Sequence, residues 1–298
     1  MWGFPAAFGQ NEFVESIKQP TMYIRRRVPI LLSALVLVYS QASAASFESK
    51  FAVVVVDAQS EAKLGGFPSR EVLSQLIDRI AAGKPKSIIL KYFLDTPGNE
   101  ADSKLLAQSI GKTRVILQAT LNKDPPTSQA LDERFFFQGS LGPLKPALAG
   151  DGGWLPQKLF ADRAPKVCFV DVVKPERVPM FELFHQRLVE SLYACALAEA
   201  FGETKLQVER NRISFGDQSL ALNEAAEVSI SLENLDMPVS TSAFQLLEPK
   251  FDPAIFAGKV VVLAYTGSRS PTLDVCGMSI PIHQLFLAQL RELIGNFR

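Results

Sequence analysis

The chain is poor in the residues that most often declare chemistry. It holds three cysteines and two histidines in 298 residues. Three cysteines without a C-x-x-C spacing make neither a disulfide scaffold nor a zinc motif. Two histidines without clustered carboxylates give no metal site. Charge of one sign is also lacking, with 31 Lys+Arg against 31 Asp+Glu, so the basic excess of a nucleic-acid binder is absent. No apolar run reaches the ~20 residues of a bilayer span. The glycine pairs Gly65-Gly66 and Gly152-Gly153 lack phosphate-loop and dinucleotide spacing and read as turns. No internal repeat is visible, and no cofactor is implied. What is present is a 47% hydrophobic composition, enough for a core of one large or two ordinary domains.

The N-terminus points to a compartment. Arg25-Arg26-Arg27 precedes an apolar run from Val28 to Tyr39, and Ala42-Ser43-Ala44 follows as an A-x-A site before Ala45. A basic start, a short apolar stretch and a small-residue exit are the parts of a secretory signal. Residues 1–44 are therefore expected to be an extension and signal peptide, with translation starting at Met22. Residues 45–298 are expected to be a single α/β domain, periplasmic or secreted. The alternative is an inner-membrane anchor formed by residues 28–44, and membrane contact is expected only through that segment. Removing 1–44 takes away four basic and two acidic residues, leaving a net charge of about −2, ordinary for an exported protein.

Beyond Ala45 the pattern alternates. Short β-branched runs at Phe51–Val56, Ile88–Leu90, Val115–Leu117, Val167–Val170 and Val260–Leu263 predict central strands of one sheet. Near-continuous apolar strands must be buried on both faces. Ser69 caps a helix over Arg70–Ala82 in which Val72, Leu73, Leu76, Ile77 and Ile80 share one face. Further helices are expected over about 101–110, Phe181–Phe201, Ser242–Leu247 and His283–Ile294, and a hairpin around Asn211. The fold class predicted is a mainly parallel α/β sheet with helices on both faces. A long irregular insertion rich in proline and glycine is expected around 122–165.

Three segments, in order, resemble the type-two CHASE domain, an extracytoplasmic sensor module of bacterial cyclases and kinases. The opening strand ends in Asp57, followed by Leu64-Gly65, Phe67-Pro68 and Arg70. The middle carries Arg177-x-Pro179 before a long apolar helix, and the close runs from a final strand through Asp274 to a helix near His283. The resemblance spans about Phe47 to Leu293. Three departures stand out: Lys91 where the family commonly has an acid, Ala264 where it has glycine, and Cys276-Gly277-Met278 where it has threonine-proline. The resemblance implies a divergent, free-standing sensor domain without its own output domain.

Asp57, Arg70, Lys91, Asp95 and Asp274 fall at or just beyond the C-terminal ends of the predicted parallel strands. Ligands of open α/β sheets bind at that edge, so these five are the candidate ligand-binding residues, for a small polar or zwitterionic molecule. The competing reading is a structural network, such as Asp57 paired with Arg70. Ser268, Asp274 and His283 follow the serine–acid–histidine order of α/β-hydrolases. They lie within sixteen positions and lack a G-x-S-x-G turn, so no catalytic residue is assigned. Cys168 and Cys195 read as small buried apolar residues, bridged only if strand and helix bring their Cα atoms within about 7 Å. Cys276, in a loop, is the reactive or paired candidate. A sensory ligand-binding domain is the expected function, and a non-enzyme. The alternative is an interaction protein docking on a membrane-bound signalling protein or envelope complex, with no small ligand.

Overall fold

The computed structural model describes residues 46–122, 130–172, 174–203, 205–233 and 237–297, and the signal or anchor expected within 1–44 lies outside them. Ser46 caps α1 (Phe47–Lys50), which leads into β1 (Phe51–Val56). Asp57 then caps α2 (Ala58–Leu64), a helix the sequence pattern does not announce. Ser69 caps α3 (Arg70–Ala81), whose apolar stripe is buried as its spacing requires. β2 (Ser87–Lys91), α4 (Glu100–Lys112) and β3 (Val115–Asn122) complete two crossover units.

The expected irregular insertion contributes β4 (Ala149–Gly150), β5 (Gly152–Trp154) and α5 (Lys158–Ala161) before β6 (Lys166–Phe169). Next come β7 (Arg177–Pro179), β8 (Phe181–Phe184), β9 (Arg187–Glu190) and α6 (Leu192–Phe201). The helix expected over Phe181–Phe201 is thus a hairpin followed by a shorter helix. His185 and Gln186 turn the hairpin in left-handed conformations, φ 49° and 62°. Ser191 starts α6 and Gly202, at φ 80°, ends it.

The meander β10 (Gln207–Glu209), β11 (Arg212–Phe215) and β12 (Gln218–Ala221) contains the hairpin expected at Asn211. The chain continues through β13 (Glu227–Ser229), β14 (Ser240–Ser242), α7 (Ala243–Leu246) and β15 (Val260–Tyr265). It closes with the hairpin β16 (Thr272–Val275) and β17 (Met278–Pro281), then α8 (Ile282–Gly295).

The main sheet runs β14-β1-β15-β2-β3, with β6 parallel to β3 and β5 antiparallel at the end of β3. All five strands expected in one parallel sheet are there, and the fold is α/β. Alternate residues enter two cores. Val54, Val56, Ile88, Leu90, Val115 and Leu117 pack under α3 and α4. Val53, Val55, Ile89, Ile116, Val262 and Ala264 face α6 and α8. Burial of both faces is the reason these strands read as unbroken apolar runs.

A disulfide joins Cys168 of β6 to Cys195 of α6 across 27 positions, with Cα atoms 6.6 Å apart. This corrects the reading of the pair as merely buried apolar residues: β6 and α6 pack at the same level, which brings the two thiols together. Cys276 is free and exposed. Among the described residues no helix is long and apolar enough to cross a membrane.

Candidate functional site

At the C-terminal edge of β15, β2, β3 and β6 lies a cavity of about 590 Å³, a volume suited to a small molecule. Strand parity builds its floor. Lys91 shares the face of Ile89, and Gln118 that of Ile116, so both point toward α6 and α8. The register sets Lys91 opposite Ala264, one step beyond Leu90↔Leu117, and Gln118 opposite Cys168. Phe286 and His283 from α8 and Tyr193 from α6 close the far side. The mouth is aromatic: Phe67 is 49% exposed and Trp154 of the insertion 52%. Phe67 packs edge-on against both Tyr92 and Tyr265.

The floor is polar and almost fully buried. Lys91 is 1% exposed. Its Nζ lies 3.5 Å from Gln118 Oε1 and 4.6 Å from the centre of the Phe286 ring. Burial lowers its pKa to about 7, against the opposing pull of the Asp171 charge. Asp171 follows β6, and its Oδ2 accepts the Leu121 N–H at 2.8 Å. Behind it the wholly buried Glu182 accepts the Asp171 N–H at 3.4 Å. Burial, then the Asp171 charge, pushes Glu182 well above the usual carboxylate range, and burial raises Asp171 as well. His283 is driven down to about 2, chiefly by burial and then by the Lys91 charge. Its Nδ1 accepts the Tyr265 N–H at 3.2 Å, which leaves the ring proton on Nε2. Tyr193 donates its hydroxyl proton to Gln289, which in turn donates to the Pro175 carbonyl at 2.7 Å. Three buried polar atoms, Gln118 Nε2, the Tyr92 hydroxyl and Glu182 Oε2, have no hydrogen-bond partner among the described residues.

One rim loop is pinned from outside. Glu61 of α2 accepts the Tyr265 hydroxyl and, at 2.8 Å, the Ser268 N–H, while the Arg269 N–H donates to the Tyr265 oxygen at 3.0 Å. The carboxylate passes so close to Gly267 that a Cβ there would lie 2.5 Å from Glu61 Cδ. These bonds hold residues 265–269 against α2 and set Arg269 at the cavity rim.

Comparison with known families matches the CHASE2 domain over residues 23–282. The chain belongs to the CHASE2 family. This is a family of extracellular sensor domains of signalling proteins. The matched span begins before the three arginines and ends at the first residue of α8. No curated protein and no solved structure matches the chain.

Against this CHASE2 framework, the five residues expected at the strand edge do not converge. Lys91 alone of them lines the cavity. Asp57 caps α2 through the Ser60 N–H at 2.7 Å and accepts the Ser242 hydroxyl at 2.8 Å, tying β14 to β1. Burial raises its pKa, but these bonds outweigh that and bring it below the usual value. Arg70 does not meet Asp57. It donates to Ser103 Oγ at 2.6 Å and to the Thr96 carbonyl, under a turn whose Gly98 leaves no room for a Cβ. Asp95 lies in the same loop, its carbonyl accepting from Gln157 at 3.3 Å. Asp274 is exposed on the β16–β17 hairpin and caps its turn through the Gly277 N–H at 3.0 Å. With Asp274 so placed and His283 bonded to the backbone, the serine–acid–histidine order makes no triad.

Sequence reasoning missed Gln118, Asp171, Glu182 and the aromatic mouth. Two of these carried a signal. Gln118 is a lone amide in the apolar run 115–119, and Asp171 ends a strand as Asp57 does.

Proposed function

We propose that this chain is an exported sensor module that takes up a small molecule in the cavity between the edge of the sheet and α6 and α8. The observation that carries the reading is a buried lysine beside an amide nitrogen that has no partner among the described residues, at the bottom of an aromatic-walled cavity. Buried polar groups without partners are costly, and a ligand would satisfy them. The Cys168–Cys195 disulfide supports an oxidising compartment, periplasmic or secreted, reached after removal of residues 1–44. N-terminal sequencing of envelope protein should then begin at Ala45, whereas an intact Met22 on membrane material would make the segment an anchor.

Uptake is tested by thermal shift against a library of small acids, alcohols, amines and zwitterions. A ligand at a hundred times its Kd stabilises by about 2.7 kcal/mol. Thr120→Trp, which fills the cavity, should abolish every such shift. A library without a single shift would leave docking on a membrane-bound signalling protein as the better reading.

A further inference from the structure

The hydrogen-bonding inventory of the floor is lopsided. Lys91 Nζ carries up to three N–H bonds, and its closest acceptor is Gln118 Oε1 at 3.5 Å. The two N–H bonds of Gln118 Nε2 have no acceptor among the described residues, nor has the Tyr92 hydroxyl. Gln118 is 1% exposed and Tyr92 4%, and both line the cavity. His283, its ring proton on Nε2, also lines the cavity. On the acceptor side, Asp171 lines the cavity with its Oδ2 taking the Leu121 N–H, and Glu182, whose Oε2 has no partner among the described residues, sits behind it outside the lining. Donors exceed acceptors, so the floor fits an oxyanion. Above the floor the walls are Tyr193, Phe286, Tyr92, Phe93, Trp154 and Phe67. Such walls fit an apolar body and offer a sugar or a peptide backbone few partners.

We infer that the cavity receives a monocarboxylate carried on an aromatic or aliphatic body, its oxyanion on Lys91 Nζ and Gln118 Nε2 and its body between the mouth aromatics. This rests on the reading of the cavity as a ligand site. A cationic ligand would meet the Lys91 ammonium, and a dianion would face Asp171 at close range in a dry site.

Charge makes the binding proton-linked. The groups around Lys91 are Asp171 after β6, His283 of α8 and Tyr193 of α6, with Glu182 of β8 behind Asp171. Tyr92 and Tyr265 stand at the strand ends, and Arg269 at the rim. With Lys91 half-charged near neutrality, seating a carboxylate draws a proton onto the amine. Affinity should fall as pH rises.

The test is calorimetric titration of the mature domain with 2-naphthoate, 2-naphthalenemethanol and 2-naphthylmethylamine, with decanoate as the aliphatic acid. At pH 6.5 an acid should bind at least tenfold more tightly than the alcohol and the amine. Its affinity should drop about tenfold by pH 8.5, with proton uptake seen as a buffer-dependent enthalpy. Lys91→Met should cost the acid tenfold or more and leave the alcohol unchanged, and Gln118→Leu should weaken the acid less. Tighter naphthoate assigns an aromatic acid, tighter decanoate a fatty acid, and either supports the inference. Alcohol or amine binding as tightly as the acids, with Thr120→Trp abolishing it, overturns the carboxylate while the cavity remains a ligand site. An acid indifferent to both Lys91→Met and Gln118→Leu overturns it equally. No binding by any of the four overturns it, and no shift across the wider library removes the small-molecule reading as well.

Discussion

Replacing Lys91 by methionine should make the protein more stable, and more so in acid than in base. The side chains are similar in length, so the change removes a buried charge without opening a cavity. Burial brings the folded pKa of Lys91 down to about 7 from the ordinary lysine value of 10.5. A folded pKa below the unfolded one means that the unfolded chain binds the proton more tightly. The penalty is therefore complete below pH 7 and fades as pH rises toward 10.5. At ~1.36 kcal/mol per pH unit, the cost approaches about 5 kcal/mol at pH 6 and about 2 kcal/mol at pH 9. These are upper values, because the contacts with Phe286 and Asp171 are lost too.

For a domain of this size, ~2–4 °C per kcal/mol turns this into a Tm gain on the order of 10 °C at pH 6. Urea unfolding of both proteins at pH 6, 7.5 and 9 checks it. Comparing the pair matters, because Glu182 and Asp171 titrate with the opposite sign. Their raised pKa values make folding less favourable as pH rises from the ordinary carboxylate range toward their folded values. The Lys91 contribution appears as a wild-type deficit that shrinks by about 3 kcal/mol from pH 6 to 9. A deficit that does not change with pH, or a variant less stable at pH 6, would refute the reasoning.

Three further outcomes follow from the fold. The Cys168→Ala, Cys195→Ala double variant should lose ~3–4 kcal/mol, the loop-closure value for its 27-residue separation; thiol titration of denatured, unreduced wild type should find only Cys276, and a count of three would sink the bridge. Arg70→Ala should lower stability by ~1–3 kcal/mol for the charged bonds to Ser103 and Thr96, seen as a lower Tm, while ligand shifts persist; lost shifts at unchanged Tm would return Arg70 to the binding site. Gly267→Ala should push Glu61 aside and speed hydrogen exchange at the Ser268 amide, and an unchanged Ser268 rate would contradict the pinning of the rim.

The strands were legible because burial on both faces leaves an unbroken apolar run, as in Val53–Val56 and Val260–Leu263. The hairpin at Phe181–Glu190 was not. Its turn is His185-Gln186, without the glycine or asparagine that left-handed positions favour. Burial of Phe181, Phe184 and Val189 offsets that strain, and it is a tertiary effect no local pattern displays. The short helix α2 escaped notice because Asp57 was read as a strand-ending acid, although a capping acid stands in the same place.

The edge of the sheet was also legible, but not the direction of its side chains. Asp57 and Asp95 lie in loops and Asp274 on the exposed β16–β17 hairpin, where charged groups can cap turns or meet water at little cost. Residues that the sheet sends into the cavity floor come from strand positions of inward parity. That criterion is readable in advance: in SIILK, Lys91 shares parity with Ile89, and in VILQA, Gln118 shares parity with Ile116. Their neighbours on that face, Ala264 and Cys168, are apolar. A lysine placed there opposes the rule that the inward positions of β1 and β15 obey, and its burial costs the fold several kcal/mol. Breaches of a local rule with no structural return mark the places where a protein meets something else. The contacts of Lys91 with Gln118, Phe286 and Asp171 return less to the fold than the burial of its charge costs. The same substitution should therefore raise stability and abolish carboxylate binding, two opposite effects that a purely structural lysine could not produce together.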